Sequence, residues 1–157
     1  MIPMPRGLFI SHYPIRFSHT DMAGIVYYPN FFDMFQTVVE DWFDHWLGIH
    51  YATLISERKV ALPSVRAACD FLSPARIGDT LDLTVRLDKI GRTSIAIRID
   101  GAVRGVPSLR GEVVLVTLSL ETFKSIPIPA DIAARLEDYR NSTSSNSPAT
   151  GGDSNAN

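Results

Sequence analysis

The 157-residue chain has a single cysteine, Cys69. That excludes an intrachain disulfide framework and any Cys-x-x-Cys redox or metal motif. Between Ala68 and Asp70 on an expected strand, Cys69 reads as a small core residue. The chain also lacks a run of basic residues: its arginines are scattered and its formal net charge is −2. This leaves no electrostatic footprint for nucleic acid. No apolar run approaches the roughly 20 residues of a membrane-spanning helix. Met1 to Ile10 contains Pro3 and Pro5 and has no continuous apolar stretch like that of a secretory signal. A cytoplasmic protein with no membrane partner is expected. His12, His45 and His50 stand at no metal-ligand spacing with an acidic partner, so no metal is expected.

What is present is the composition of one globular domain, 45% hydrophobic and 20% charged, long enough for a sizeable core. The domain is expected over residues 1–140. Residues 141–157 are Ser, Asn, Thr, Gly and Pro with no large apolar side chain. They cannot bury enough surface to order themselves, and a disordered tail is expected.

The apolar pattern changes period along the chain. His12 to Phe17 reads as a short strand, with Pro14 placing it at an edge. From Phe31 the residues Phe35, Val38, Val39, Trp42, Phe43 and Trp46 form a helical stripe, with Asp33, Gln36, Glu40, Asp41 and Asp44 between them. Pro29 opens this helix and Gly48 stops it. Tyr51 to Glu57 reads as a further helical turn or two, and Ala61 to Ser73 as a strand. Leu81, Leu83, Val85 and Leu87 then alternate with polar residues, the period of a half-buried strand. Gly91-Arg92 marks a turn, and Ile95, Ile97 and Ile99 continue the alternation, giving a hairpin. Gly101 to Gly111 reads as a looser connection. Glu112 to Phe123 reads as one long β-branched strand, and Asp131 to Tyr139 as a short amphipathic helix. The order is a strand, a long helix, four strands and a short helix: an α+β layer of about five antiparallel strands against one helix.

The chemistry concentrates ahead of the long helix, in His19-Thr20-Asp21-Met22-Ala23-Gly24-Ile25-Val26-Tyr27-Tyr28-Pro29-Asn30. A loop carboxylate lies close in sequence to the positive end of a helix, where free N–H groups can bind a developing oxyanion. Pro29 has no N–H, so the donor must come from Tyr28, Asn30 or Phe31. Taken alone, Asp21 reads first as a turn residue, since loop Asp is common.

Asp21 to Phe31 resembles the signature of the 4-hydroxybenzoyl-CoA thioesterase family of hotdog-fold acyl-CoA thioesterases. Phe17, Ile77-Gly78-Asp79-Thr80-Leu81 and Gly91-Arg92-Thr93-Ser94 extend the match, which covers about Ser11 to Tyr139. The resemblance implies the hotdog fold, a curved antiparallel sheet wrapped round one long helix. It implies hydrolysis of a thioester to an acid and free CoA, with CoA part of the substrate and no cofactor. It places the catalytic carboxylate on Asp21 and the carbonyl-polarising N–H on Tyr28. His19 stands where relatives carry an acidic residue and can donate to Asp21. Tyr27, Tyr28 and Phe31 either line an acyl pocket or pack in the core. Lys89 and Arg92 fall where relatives hold the CoA phosphates. Gln36 replaces an acidic residue expected to meet a ring hydroxyl, which favours another aryl or a medium-chain acyl group. The resemblance also implies a homodimer or homotetramer. A hydratase or dehydratase on acyl thioesters and a non-catalytic acyl-CoA binding module remain open.

Overall fold

The computed structural model describes residues 5–144. The elements run β1 (Phe9–Pro14), α1 (Pro29–Trp42), α2 (Tyr51–Ser56), β2 (Val60–Ala61), β3 (Ser64–Phe71), β4 (Thr80–Ile90), β5 (Ser94–Val103), β6 (Val106–Val116), β7 (Leu118–Ser119) and α3 (Ala130–Ser144). Five strands form one antiparallel sheet in the order β1-β4-β5-β6-β3, and β2 and β7 form a separate pair. The expected α+β layer is present.

The alternation in β4 and β5 sorts the two faces of the sheet. Leu81, Leu83, Val85, Ile95, Ile97 and Ile99 are buried beneath the helix. Asp82, Thr84, Arg86, Arg98 and Asp100 occupy the other face, where Arg86, Arg98 and Arg110 converge on the Asp100 carboxylate. Along α1 the buried residues are Phe31, Met34, Phe35, Val38, Val39 and Trp42, the stripe read from the sequence.

Several boundaries differ from the sequence reading. The first strand lies earlier, at Phe9–Pro14, because Phe9, Ser11 and Tyr13 supply the inward alternation; Phe17–His19 is a 3-10 turn. The long helix changes to a π-helical turn over Phe43–Leu47 and ends at Gly48, whose φ is 69°. The wider turn buries Phe43, Trp46 and Leu47 together. The strand expected over Ala61 to Ser73 is split by Pro63 into β2 and β3, since proline offers no N–H to a ladder. The looser connection expected at Gly101 to Gly111 is instead a tight hairpin. Its turn is Arg104-Gly105, with φ values of 49° and 77°, the left-handed pair that matches strand twist. The strand expected to Phe123 ends at Val116, and Leu118–Ser119 turns away to pair with β2. Helix α3 runs through Ser144, so Asn141–Ser144 are helical and not tail; residues 145–157 lie outside the described residues.

Gly101 and Gly111 serve packing. A Cβ on Gly101 would lie 2.7 Å from Leu109 Cγ, and one on Gly111 would lie 2.5 Å from Phe35 Cζ. The Phe35 ring of α1 rests directly on the β6 backbone. Gly111→Ala should therefore cost roughly 1–3 kcal/mol, the usual scale of overpacking. Chemical denaturation should show this, and Phe35→Leu in the same chain should recover part of it.

The chain ends meet on β1. The buried Tyr139 hydroxyl of α3 donates to Val85 O and accepts from Phe9 N–H at 3.0 Å, joining β4 to the edge strand β1. Trp46 Nε1 donates to Gly7 O at 3.1 Å, and the Trp46 and Tyr139 rings meet edge-on at 4.7 Å.

Candidate active site

The loop after the 3-10 turn is a closed hairpin. Thr20 bridges to Val26, Asp21 N–H donates to Ile25 O, and Gly24 N–H donates to Asp21 O. Gly24 has φ +73°, a conformation that glycine adopts without steric cost. Asp21 is exposed, and its Oδ1 accepts the Ala23 N–H at 2.8 Å. One carboxylate oxygen is thus committed to the turn and orients the other. Val26 N–H donates to Ala75 O, and Ile25 bridges to Arg76, fixing the loop to the segment before β4.

That segment is held by Asp79, whose carboxylate accepts the Arg76 N–H at 2.8 Å and an Arg104 guanidinium N–H at 3.0 Å. The Arg76 hydrogen bond first, and the Arg104 guanidinium second, hold the Asp79 carboxyl below the usual range. A depressed folded pKa gives stability that is present above the unfolded value and lost as pH falls through the folded one. Acidification should therefore loosen this turn, and the protection of the Arg76 amide, taken relative to its intrinsic exchange rate at each pH, should fall on the acid side. Asp79→Asn should flatten that dependence.

At the helix entry Tyr28 takes αR angles, φ −53° and ψ −35°, although a residue before proline disfavours that region. Asn30 N–H donates to Tyr27 O and Phe31 N–H to Tyr28 O. Pro29 has no donor. Of the three donors left open by the sequence, Tyr28 N–H alone has no acceptor among the described residues.

Loop and helix entry are joined at the His19 carbonyl, which accepts Tyr27 N–H at 2.9 Å and Asn30 Nδ2 at 2.8 Å. The two line neighbouring but separate cavities. Asp21 lines one of about 470 Å³ with Phe17, Thr20, Met22, Gly24 and Ile77. Tyr28 and Phe31 line an apolar one of about 310 Å³ with Phe71, Leu72, Pro74 and Ala75. Phe71 meets both the Tyr28 and Phe31 rings, at 6.1 and 5.7 Å. Tyr27 stacks edge-on against Tyr28 and is half exposed.

The other expected residues are dispersed. His19 does not serve Asp21: its Nδ1 accepts the Arg16 N–H at 2.9 Å, and its ring lies against Tyr13. Gln36 donates to Tyr51 OH at 3.3 Å and lines a third cavity, of about 160 Å³, with Phe32, Phe35 and Ser64. Lys89 and Arg92 are exposed at the β4–β5 hairpin. The Asp21 loop is anchored at the Thr80 end of β4, so nine strand residues, roughly 30 Å, separate it from Lys89. One chain does not bring them together. Cys69 is half-buried; burial, and then Asp70, push its thiol up to about 11, so it is protonated at neutral pH and is no nucleophile. No helix among the described residues is long and apolar enough to cross a membrane, and no group of them could hold a metal ion.

Sequence reasoning missed Phe71 and Leu72 as cavity walls. Their exposure at a strand end was the available signal, since two adjacent apolar residues cannot both face the core of a strand. It also missed the Asn30 link, which joins side chain to main chain 11 residues away and leaves no periodic trace.

The model of the thioesterase-like superfamily matches residues 15–136. The 1,4-dihydroxy-2-naphthoyl-CoA hydrolase of Synechocystis sp. is 30% identical over 127 residues, covering 78% of this chain and 90% of that protein. A thioesterase superfamily structure from Jannaschia sp. is 26% identical, covers 88% of this chain and 97% of its own, and superposes with a TM-score of 0.80. The structure of a gentisyl-coenzyme A thioesterase, 24% identical, gives a TM-score of 0.74 over 81% of this chain and 98% of its own. A match running from the turn before Asp21 into α3 leaves one conclusion: the chain belongs to the thioesterase-like superfamily and has its hotdog fold.

Proposed function

We propose that this protein hydrolyses an aryl- or short- to medium-chain acyl-CoA thioester to the free acid and CoA. The observation that carries the proposal is the Tyr28 N–H at the mouth of α1, without an acceptor among the described residues and tied through the His19 carbonyl to the loop of Asp21. The N–H polarises the thioester carbonyl and holds the oxyanion as it forms. Asp21 supplies the carboxylate that attacks the carbonyl or takes a proton from the attacking water. The apolar walls at Tyr28, Phe31 and Phe71 suit the acyl group, and relatives named for dihydroxynaphthoyl- and gentisyl-CoA support an aromatic one. A hydratase would need a histidine shuttle at Asp21, and His19 is engaged elsewhere.

The reading includes a homodimer whose sites draw on both copies. β3 is an edge strand with Val65, Phe71 and Leu72 each more than half exposed, and unpaired edges call for cover. Ser64 pairs beside Leu115 and Ser94 beside Val116, so the β4–β5 hairpin lies at the Ser64 end of β3. The Asp21 loop lies at the Phe71 end. Antiparallel pairing of two β3 edges sets the Ser64 end of one copy against the Phe71 end of the other. The second copy's Lys89 and Arg92 then approach this chain's loop, where they hold the CoA phosphates.

Release of thiol from 4-hydroxybenzoyl-, gentisyl-, 1,4-dihydroxy-2-naphthoyl- and octanoyl-CoA tests the activity. Turnover of at least one is expected, and no turnover of any by folded protein overturns the reading. Sedimentation as a lone 17.4 kDa species overturns the dimer. Arg92→Ala should raise KM for CoA esters about 10–100-fold with kcat nearly intact, the scale of one charge-assisted hydrogen bond.

A further inference from the structure

We infer that Asn30 is a positioning residue for the reaction: through its hydrogen bond to the His19 carbonyl it sets the Asp21 loop against the Tyr28 N–H. The inference rests on the thioesterase reading for its kinetic consequence, and on geometry alone for its structural one.

Asn30 occupies the second position of α1, one residue beyond Pro29. A side chain there usually turns back on its own helix or points to water. This one instead reaches across to the preceding loop, donating Nδ2–H to His19 O at 2.8 Å from a half-buried position. The same oxygen accepts Tyr27 N–H at 2.9 Å. Both lone pairs of one carbonyl are therefore used, one by the main chain just before Tyr28 and one by the side chain just after it. The carbonyl lies two residues before Asp21. The donors bracket Tyr28, whose N–H has no acceptor among the described residues, and the acceptor is the last residue of the 3-10 turn that leads into the carboxylate's hairpin.

The rest of the loop does not fix that relation. The Asp21 turn is closed within itself by Thr20, Ala23, Gly24 and Ile25, and its outside anchors at Ala75 and Arg76 lead to the segment before β4 and not to α1. The two bonds on His19 O are the direct hydrogen bonds between the helix entry and the loop strand. The Tyr27 bond is made by the main chain and depends on no side chain. Asn30 supplies the second point, and two points define an orientation where one leaves a hinge. A misplacement of about 1 Å between reacting groups can cost on the order of 10²-fold in rate.

Asn30→Asp is the sharp test. It keeps the shape and removes the donor, leaving a carboxylate facing a carbonyl. A carboxylate in the first turn of a helix also favours the helix dipole, so the melting temperature should hold or rise. A residue that served only stability would lower it. Asn30→Ala removes the donor without adding charge. With whichever of the four thioesters the unaltered protein turns over fastest, both variants should lose about 10–100-fold in kcat with KM within about 3-fold. In an Asp21→Asn background the same changes should cost less than about 3-fold, because a positioning effect needs the group it positions. Hydrogen exchange at the Tyr27 amide, which shares the His19 carbonyl with Asn30, should quicken in both variants.

Unchanged kcat in Asn30→Ala, or loss in Asn30→Asp alone, overturns the inference and leaves the thioesterase reading standing. Unchanged exchange at the Tyr27 amide overturns it whatever the activity. Faster exchange with no turnover by the unaltered protein upholds the link and overturns the catalytic reading.

Discussion

Asp21→Asn should lower kcat on the best thioester by roughly 10²–10⁴-fold, the contribution of a positioned acid or base. The substitution is clean for a structural reason. Asp21 Oδ1 accepts the Ala23 N–H in the turn, and an asparagine Oδ1 can accept it too. The loop keeps its shape while the second oxygen, the one free to attack or to take a proton, becomes an amide nitrogen. KM should change little, because binding rests on the aromatic walls and the phosphate contacts. Steady-state kinetics with a melting curve separate this from misfolding. Wild-type kcat in the Asn variant would remove Asp21 from the chemistry, whatever the fold.

Tyr139→Phe should be the most damaging single-atom change to stability. Its hydroxyl serves two main-chain groups at once, Phe9 N–H and Val85 O, inside a shell of Trp42 and Trp46 rings at 5.1 and 4.7 Å. Each such group left unpaired costs about 1–3 kcal/mol, so a loss of about 2–6 kcal/mol is expected for the two. Tyr139→Ala should exceed it, because the ring's cavity is added. Burial pushes the Tyr139 phenol up to about 12, above its ordinary value near 10. A raised folded pKa means the contribution is fully present below about pH 10 and declines as pH rises from there through the folded value. Stability of the unaltered protein should fall along that alkaline limb, and that part of the fall should be missing from Tyr139→Phe. Urea denaturation across pH 8–12 measures both effects; equal stability of the two proteins at pH 8 would dismiss the bridge.

The sheet and the helix were readable wherever one face is buried, because burial writes a period into the sequence. Leu81 to Leu87 and Ile95 to Ile99 alternate, and Phe31 to Trp42 repeats as a helix does. The largest misreading falls where glycine has two possible meanings. Gly101 and Gly111 look like loop residues, yet they sit within strands beneath Leu109 and Phe35, and of these three glycines Gly105 alone turns the chain. In the candidate site, Asp21 and Tyr28 could be named through motif and helix start. The direction of the His19 ring could not, because adjacency in sequence does not say where a ring points; a 3-10 turn aims its Nδ1 at Arg16 N–H. Lys89 and Arg92 could be named from the hairpin, but their distance from Asp21 follows from the length of β4, which only the full ladder reveals.

The link from Tyr139 to β1 also governs when the domain can close during synthesis. β1 is made before its partner and waits about 70 residues for β4, the separation of the His12–Asp82 pair. Its last bond comes from Tyr139, 130 residues downstream of Phe9. Contacts this remote in sequence delay folding until their far partner exists. A nascent chain that stops short of α3 carries an edge strand with a loose end and an apolar sheet face without its final cover, the form most open to aggregation. Closure therefore waits for α3, whose Tyr139 completes the bonds that hold β1.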